Sequence, residues 1–276
     1  MNTIEPLCKA AAKLIEQSDG LLITAGAGMG VDSGLPDFRG DKGFWQAYPA
    51  LGKRGLSFVE IANPAHFTSK PELGWGFYGH RLQLYRATIP HAGFSLLQTI
   101  AAKLGHGAFV FTSNVDGHFQ KAGFAGEQVV ECHGSIHHLQ CIRGCGAPIW
   151  QADAFVPQID HDNCLLTSKT PRCPSCGALA RPNILMFNDW QWDDARTMQQ
   201  VKRLEKWLAA VERPVVIEFG AGTAVSTVRG FGERCGCPLI RVNPTEPDVR
   251  RSNDIGIACG ALEGIAGIAQ ALESAA

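Results

Sequence analysis

The chain has 276 residues, 45% of them hydrophobic and 18% charged, with a formal net charge of −1. That much apolar side chain builds a sizeable core and excludes wholesale disorder, and a near-neutral chain carries no global electrostatic footprint for nucleic acid. No run of about 18 uncharged apolar residues occurs, so no membrane span is expected.

Residues 4–18 read as an amphipathic helix, with Leu7, Ala11, Leu14 and Ile15 on one face, Thr3 as its cap and Pro6 in its first turn. The same stretch has acidic residues and no apolar core of the signal-peptide kind. With ten cysteines in the chain, that points to a reducing, cytoplasmic setting in which thiols are metal ligands or core filler. Residues 21–24 (LLIT) form a short apolar run that ends in glycines, the pattern of a buried strand entering a loop. Similar runs recur at 108–112, 129–131, 215–219 and 239–242, with helical stretches at 91–104, 194–211 and 262–272. Strands alternating with helices predict an α/β fold, a doubly wound parallel sheet with helices on both faces. Two regions break the rhythm. Residues 41–90 lack strand signals and are rich in Gly, Pro and aromatics; residues 138–190 hold paired cysteines and many turn residues. Both are expected to be insertions on the sheet.

The first strand runs into Gly26-Ala27-Gly28-Met29-Gly30. Glycines there let the backbone approach a phosphate, and a following helix N-terminus can bind the anion. The strict G-x-G-x-x-G spacing fails because Val31 stands at the third glycine position, so a tight strand–helix turn is an equal reading. Thr112-Ser113-Asn114-Val115-Asp116 follows a strand, where an amide and a carboxylate either face a ligand crevice or cap a helix. His133 also ends a short strand, and an imidazole there can serve as a general base near neutral pH; His137 and His138 are read as structural. Cys141-x3-Cys145 and Cys173-x2-Cys176, each pair followed by Gly, are expected to hold one closed structural zinc. The other six cysteines are read as buried bystanders. Tyr78 and Arg81 stand one helical turn apart, either as a receptor for a carboxylate or as a core Tyr beside a surface Arg.

The stretch GAGMGVDSGLPDFRG at 26–40 resembles the signature of the sirtuins, the NAD-dependent protein lysine deacylases. Residues 112–116 resemble that family's T-Q-N-[IV]-D, with Ser113 in place of Gln; Ala122-Gly123 follow at the family spacing, and His133-Gly134 match its H-G motif. Arg181 to Asp189 (RPNILMFND) resemble R-P-x-x-x-x-F-G-E, with Asn188-Asp189 in place of Gly-Glu; Gly222-Thr223-Ala224 resemble G-T-S, and Val242-Asn243 resemble I-N. Tyr78 and Arg81 are similar to the pair by which class III sirtuins recognise succinyl and malonyl groups.

The resemblance implies a Rossmann-like domain at 1–40, 91–137 and 191–276, a helical insertion forming an acyl-pocket module at 41–90, and a small zinc-binding domain at 138–190. It implies NAD as co-substrate, bound by Gly26, Ala27, Gly28, Asp37, Phe38, Arg39, Ser113, Asn114, Asp116, Gly222, Thr223, Asn243 and Ala261. Phe38 would shield the ribose, and Asn114 and Asp116 would hold the nicotinamide end. His133 would act as the base, and Tyr78, Arg81 and Phe187 would receive the substrate. The implied partners are acylated protein lysines, acetylated and also succinylated or malonylated, with no direct nucleic-acid or membrane partner. Ser113, and Gly30 where the family has Ser, keep open a rival on the same fold, ADP-ribosyl transfer to protein or NAD hydrolysis. A zinc-ribbon binding module with a degenerate nucleotide site is a third reading.

Overall fold

The computed structural model describes residues 4–37 and 40–275. Its strands are β1 (Gly20–Ala25), β2 (Ala108–Thr112), β3 (Val129–Glu131), β4 (Gly134–Cys141), β5 (Trp150–Gln151), β6 (Ile159–Asp160), β7 (Leu165–Leu166), β8 (Ala180–Ile184), β9 (Pro214–Phe219), β10 (Leu239–Val242) and β11 (Ile255–Ile257). The α-helices are α1 (Glu5–Glu16), α2 (Gly40–Ala47), α3 (Pro49–Lys53), α4 (Phe58–Ile61), α5 (Ala65–Ser69), α6 (Pro71–Ala87), α7 (Gly93–Ala101), α8 (His118–Lys121), α9 (Ala195–Ala210), α10 (Thr227–Arg234) and α11 (Ala261–Ala275).

Six strands pair in parallel in the order β11-β10-β9-β1-β2-β3, so the doubly wound α/β expectation holds. The central strands are apolar throughout because both faces are covered. Ile23, Val110, Ile217 and Ile240 pack into one core with α1, α7 and α11; Leu22, Phe109, Phe111 and Val216 pack into a second with α9 and α10. The chain builds outward from β1 in one direction through β2 and β3, and from β9 in the other. The order therefore reverses between β1 and β9, and a crevice opens there at the carboxyl ends of the strands.

Helix α1 departs from its expected face. Cys8, Ala11, Ala12 and Ile15 are buried, whereas Leu7 is 41% exposed. The helix starts after Ile4, which makes no side-chain cap; Thr3 lies outside the described residues. The short strand β11 and helix α10 are additions to the sequence expectation. Two glycines interrupt the apolar run in α10, and Gly256 sits in the centre of β11.

The two insertions share one core. Phe44, Tyr48, Phe67, Trp75, Phe77 and Tyr78 from the helical segment pack with Ile136, Leu139, Ile184 and Met186 beside the antiparallel sheet β5-β4-β8. The Trp75 indole donates to the carbonyl of Ala180 at 3.0 Å. At Gly76 a Cβ would stand 2.0 Å from the carbonyl oxygen of Cys164, so helix and hairpin meet only because that side chain is missing.

Candidate active site

The carboxyl edge of the sheet carries a cavity of about 620 Å³, lined from both sides of the β1/β9 switch point. Its floor is main chain. Gly26 follows β1 and caps a short 3₁₀ helix, and Gly220 follows β9 with φ +56°. A Cβ on Gly28 would come within 2.6 Å of Gly220 Cα, and one on Gly26 within 2.7 Å of its carbonyl oxygen. The loop glycines thus let two strand-end loops touch, and the Gly28 N–H donates to the Gly220 carbonyl across that contact at 3.1 Å.

The strand-end cluster after β2 is tied to this floor. The Thr112 hydroxyl donates to the Ala25 carbonyl at 2.9 Å, and the Asn114 amide donates to the Gly26 carbonyl at 2.9 Å. Ser113 lines the cavity between them. Asp116 is buried, and its Oδ1 accepts the His118 backbone N–H at 2.9 Å in the turn that leads into α8. Burial, and then Glu131 nearby, push its carboxyl up to about 6 despite the opposing His118 N–H, His137 and Arg81. Of the two expectations for this cluster, the structure places Asn114 and Asp116 on the cavity wall, whereas the N-cap of α8 is Gly117 and carries no side-chain cap. His137, read as structural, donates its Nε2–H to the Asp116 carbonyl at 2.8 Å. Two histidines beside this cluster, the buried His118 and the half-buried His138, are each pushed down to about 4, first by desolvation and then by nearby cations.

His133 sits in the turn between β3 and β4 and lines the same cavity. Burial lowers the pKa of its ring, which favours the neutral imidazole a base requires. The following glycine is fixed by sterics. Gly134 has φ +78°, and a Cβ there would meet the Asn183 carbonyl oxygen at 2.0 Å. The strand behind it is held rigidly by buried polar groups. Arg181 pairs with Asp189, and the Asn183 amide donates to Gln140 Oε1 at 3.0 Å.

At the other end the cavity is lined by Tyr78, Arg81 and Tyr85 of α6 and by Phe58, Met186 and Phe187. Phe187 N–H donates to the Ala62 carbonyl at 2.9 Å, which joins the β8 loop to the helical insertion. Tyr78 and Arg81 are both buried, so the reading of a surface arginine is excluded. The Arg81 guanidinium carbon lies 5.3–5.5 Å from the ring centroids of Phe77, Tyr78 and Tyr85.

Of the residues singled out in the sequence, Gly26, Ala27, Gly28, Asp37, Ser113, Asn114, Asp116, His133, Gly222, Tyr78, Arg81 and Phe187 converge on this one cavity. Phe38 and Arg39 lie outside the described residues. Thr223, Asn243 and Ala261 do not line it. Thr223 bonds the Glu246 carboxylate through N–H and hydroxyl, at 3.1 and 2.6 Å. Asn243, fully buried, donates to the Ala221 carbonyl at 3.1 Å and accepts from the Glu246 N–H. Ala261 begins α11, buried within the core. They hold the loops that form one wall. Tyr85, Gly220 and Ala221 were missed; Tyr85 could have been found from its i+4 spacing after Arg81.

The four paired cysteines come together as expected. Their sulfurs lie within 4.8 Å of one another, with Cys141–Cys176 and Cys145–Cys173 each at 3.6 Å. A zinc bonded to four sulfurs at about 2.3 Å needs edges of about 3.8 Å, so the donor set fits one structural zinc. Gly146 and Gly177, each just after a pair, turn the knuckles with φ +83° and +71°.

The model of the Sir2 family matches residues 26–213. The chain belongs to the Sir2 family. Among its relatives, a protein from Pyrobaculum aerophilum named NAD-dependent protein deacylase 2 is 32% identical over 84% of this chain and 82% of its own. An NAD-dependent protein deacylase from Thermus thermophilus is 28% identical over 93% of this chain and 91% of its own. One from Pyrococcus furiosus is 32% identical over 64% of either chain. In fold, this Sir2 chain is similar to a crystallised Sir2 homologue–NAD complex, with a TM-score of 0.73 at 24% identity, covering 96% of this chain and 93% of that one. No helix among the described residues is long and apolar enough to cross a membrane.

Proposed function

We propose that this protein removes acyl groups from lysine side chains of other proteins and consumes NAD as it does so. One observation carries the reading: the glycine-floored switch point, His133, Asn114 and Asp116 share a single cavity with Tyr78, Arg81 and Phe187. The relatives named NAD-dependent protein deacylase support the same chemistry.

NAD, when bound, supplies a ribose carbon that accepts the acyl oxygen as nicotinamide leaves. The chain's part is to bind, to orient and to move protons. The floor at Gly26 to Gly28 and Gly220 to Gly222 receives the diphosphate by close backbone approach. Asn114, fixed through Gly26, and Asp116 orient the nicotinamide end. His133, neutral in its buried turn, takes the proton from the ribose hydroxyl. Phe58 and Phe187, whose rings meet edge to face at 5.9 Å, keep water from the acyl-lysine. Tyr78 and Arg81 receive the far end of the acyl group, which extends the substrates from acetyl to succinyl and malonyl. Residues 41–90 are then the acyl-pocket module, 138–190 the zinc-bearing domain, and the rest the NAD-binding domain. A cytoplasmic location agrees with ten cysteines of which none forms a disulfide among the described residues.

The test is a panel of acetyl-, succinyl- and malonyl-lysine peptides incubated with NAD and read by mass spectrometry. Loss of the acyl mass with release of nicotinamide is expected. A mass gain on protein, or NAD breakdown indifferent to the peptide, would assign the rival chemistry instead.

A further inference from the structure

The acyl end of the cavity is built on one helix. Tyr78, Arg81 and Tyr85 stand at i, i+3 and i+7 of α6, so all three share a face. All three are buried, and all three line the cavity. The bonds run between Arg81 and Tyr85. The guanidinium donates Nε–H and Nη2–H to the Tyr85 phenol oxygen at 3.0 and 2.8 Å.

That arrangement has a consequence for the phenol proton. A tyrosine hydroxyl offers two acceptor positions and one donor. Both acceptor positions on Tyr85 are filled by the guanidinium, and its O–H meets no acceptor among the described residues. The Tyr78 ring, buried as well, has its centroid 5.5 Å from the same guanidinium carbon. Two buried O–H donors and a cation thus converge on one cavity wall. An acceptor with negative charge and two oxygens satisfies such a set, and a carboxylate has that form.

We infer that Tyr85 is a specificity-determining residue: it sets the plane of the Arg81 guanidinium and gives its own O–H to the distal carboxylate of an acidic acyl-lysine. The recognition group is then Tyr78, Arg81 and Tyr85, and the Tyr-x-x-Arg pair is only part of it. The inference rests on the acidic-acyl reading above. Its structural rival is Asp116, which lines the same cavity and also lies within the field of Arg81. If Tyr85 and Arg81 served only that carboxylate, every substrate would feel their loss alike.

Tyr85→Phe and Arg81→Met are compared on succinyl- and acetyl-lysine peptides of one sequence at saturating NAD. A hydrogen bond to a charged group corresponds to about ten- to hundredfold in affinity. Tyr85→Phe is expected to lower the succinyl-to-acetyl ratio of kcat/KM by at least about tenfold, through the succinyl KM. Arg81→Met is expected to lower that ratio further. If Arg81→Met shifts the ratio and Tyr85→Phe does not, or if Tyr85→Phe weakens both peptides equally, the role of Tyr85 is overturned and the acidic-acyl reading stands. If Arg81→Met leaves the ratio unchanged, the acidic-acyl reading falls and takes the inference with it.

Discussion

Arg181 and Asp189 face each other as a two-point ion pair, Nη1 to Oδ2 at 2.6 Å and Nη2 to Oδ1 at 2.9 Å, with side-chain exposures of 1% and 0%. The carboxylate also accepts the N–H groups of Met186 and Gln191 at 3.3 and 3.1 Å. The pair therefore locks strand β8 to the loop that brings Phe187 into the cavity. Removing one partner leaves an uncompensated buried charge, which costs about 3–5 kcal/mol. Asp189→Asn should lower the urea midpoint accordingly and raise the peptide KM, and an unchanged midpoint would show that the loop is held by other means.

His133→Ala should reduce kcat by about 10²- to 10⁴-fold, the usual contribution of a positioned base. Coenzyme affinity should change far less, because the glycine floor and Asn114 lie on other strand ends. Titration calorimetry with ADP-ribose beside steady-state kinetics separates the two, and parallel losses would make His133 a binding residue.

The glycine loop contains its own control. Gly28→Ala would put a Cβ 2.6 Å from the backbone of Gly220, which can yield only if a strand-end loop moves. At Gly30 the nearest atom is the Leu35 Cδ1 at 3.2 Å, a side-chain end that can turn aside. Gly28→Ala should destabilise by about 1–3 kcal/mol and weaken ADP-ribose binding, whereas Gly30→Ala should stay below about 1 kcal/mol. Equal effects in thermal unfolding and calorimetry would contradict the packing argument.

Metal binding by this thiol cluster is folding free energy for the small domain. Cys173→Ala, or chelation of the wild-type protein, should lower the melting temperature and remove one zinc per chain by atomic absorption. Because β4 and β8 share a core with the helical insertion, peptide affinity should fall with it. Full activity in metal-depleted protein would separate the cluster from the cleft.

Acid should unfold the protein through its histidines. His118 and His138 each stand at about 4 in the fold against an ordinary 6.5. Between those values the unfolded chain binds the extra proton, so stability falls as pH drops from about 6.5 to about 4, by about 1.4 kcal/mol per pH unit for each group. Asp116, at about 6 against 3.8, has the opposite sign and lowers stability as pH rises through that window. The two histidines outweigh the one carboxyl. His118→Gln should therefore show a smaller loss of urea midpoint between pH 7 and pH 4.5 than the wild type; an identical loss would move the acid sensitivity elsewhere.

Much of this site was legible from residue order because each polar cluster directly follows an apolar strand. In a parallel sheet every strand end points to one edge, so Gly26, Asn114, His133 and Gly222 had to gather there. The zinc ligands were legible because two short cysteine spacings define the cluster locally. Packing between distant segments was not. Nothing near Gly28 announces that Gly220 presses on it, and nothing near Leu7 shows that α1 turns Cys8 and Ala12 inward. Thr223, Asn243 and Ala261 follow strands or begin a helix as the motifs do, yet Thr223 and Asn243 bond to neighbouring loops and Ala261 packs into the core. The contact between Arg81 and Tyr85 shows what the i+4 spacing alone only suggests, that a third polar residue of α6 joins Tyr78 and Arg81 at that end of the cavity.

The floor made by Gly26, Gly28 and Gly220 divides the cleft into two kinds of material. One end is shaped by peptide backbone in close contact with itself, with Asn114 tied to it through the Gly26 carbonyl. The other end is shaped by side chains, those of Tyr78, Arg81 and Tyr85 on α6 and those of Phe58, Met186 and Phe187. Under the proposed function, changing which modification is removed calls for substitutions at that second end, while the backbone contacts of Gly26, Gly28 and Gly220 stay as they are.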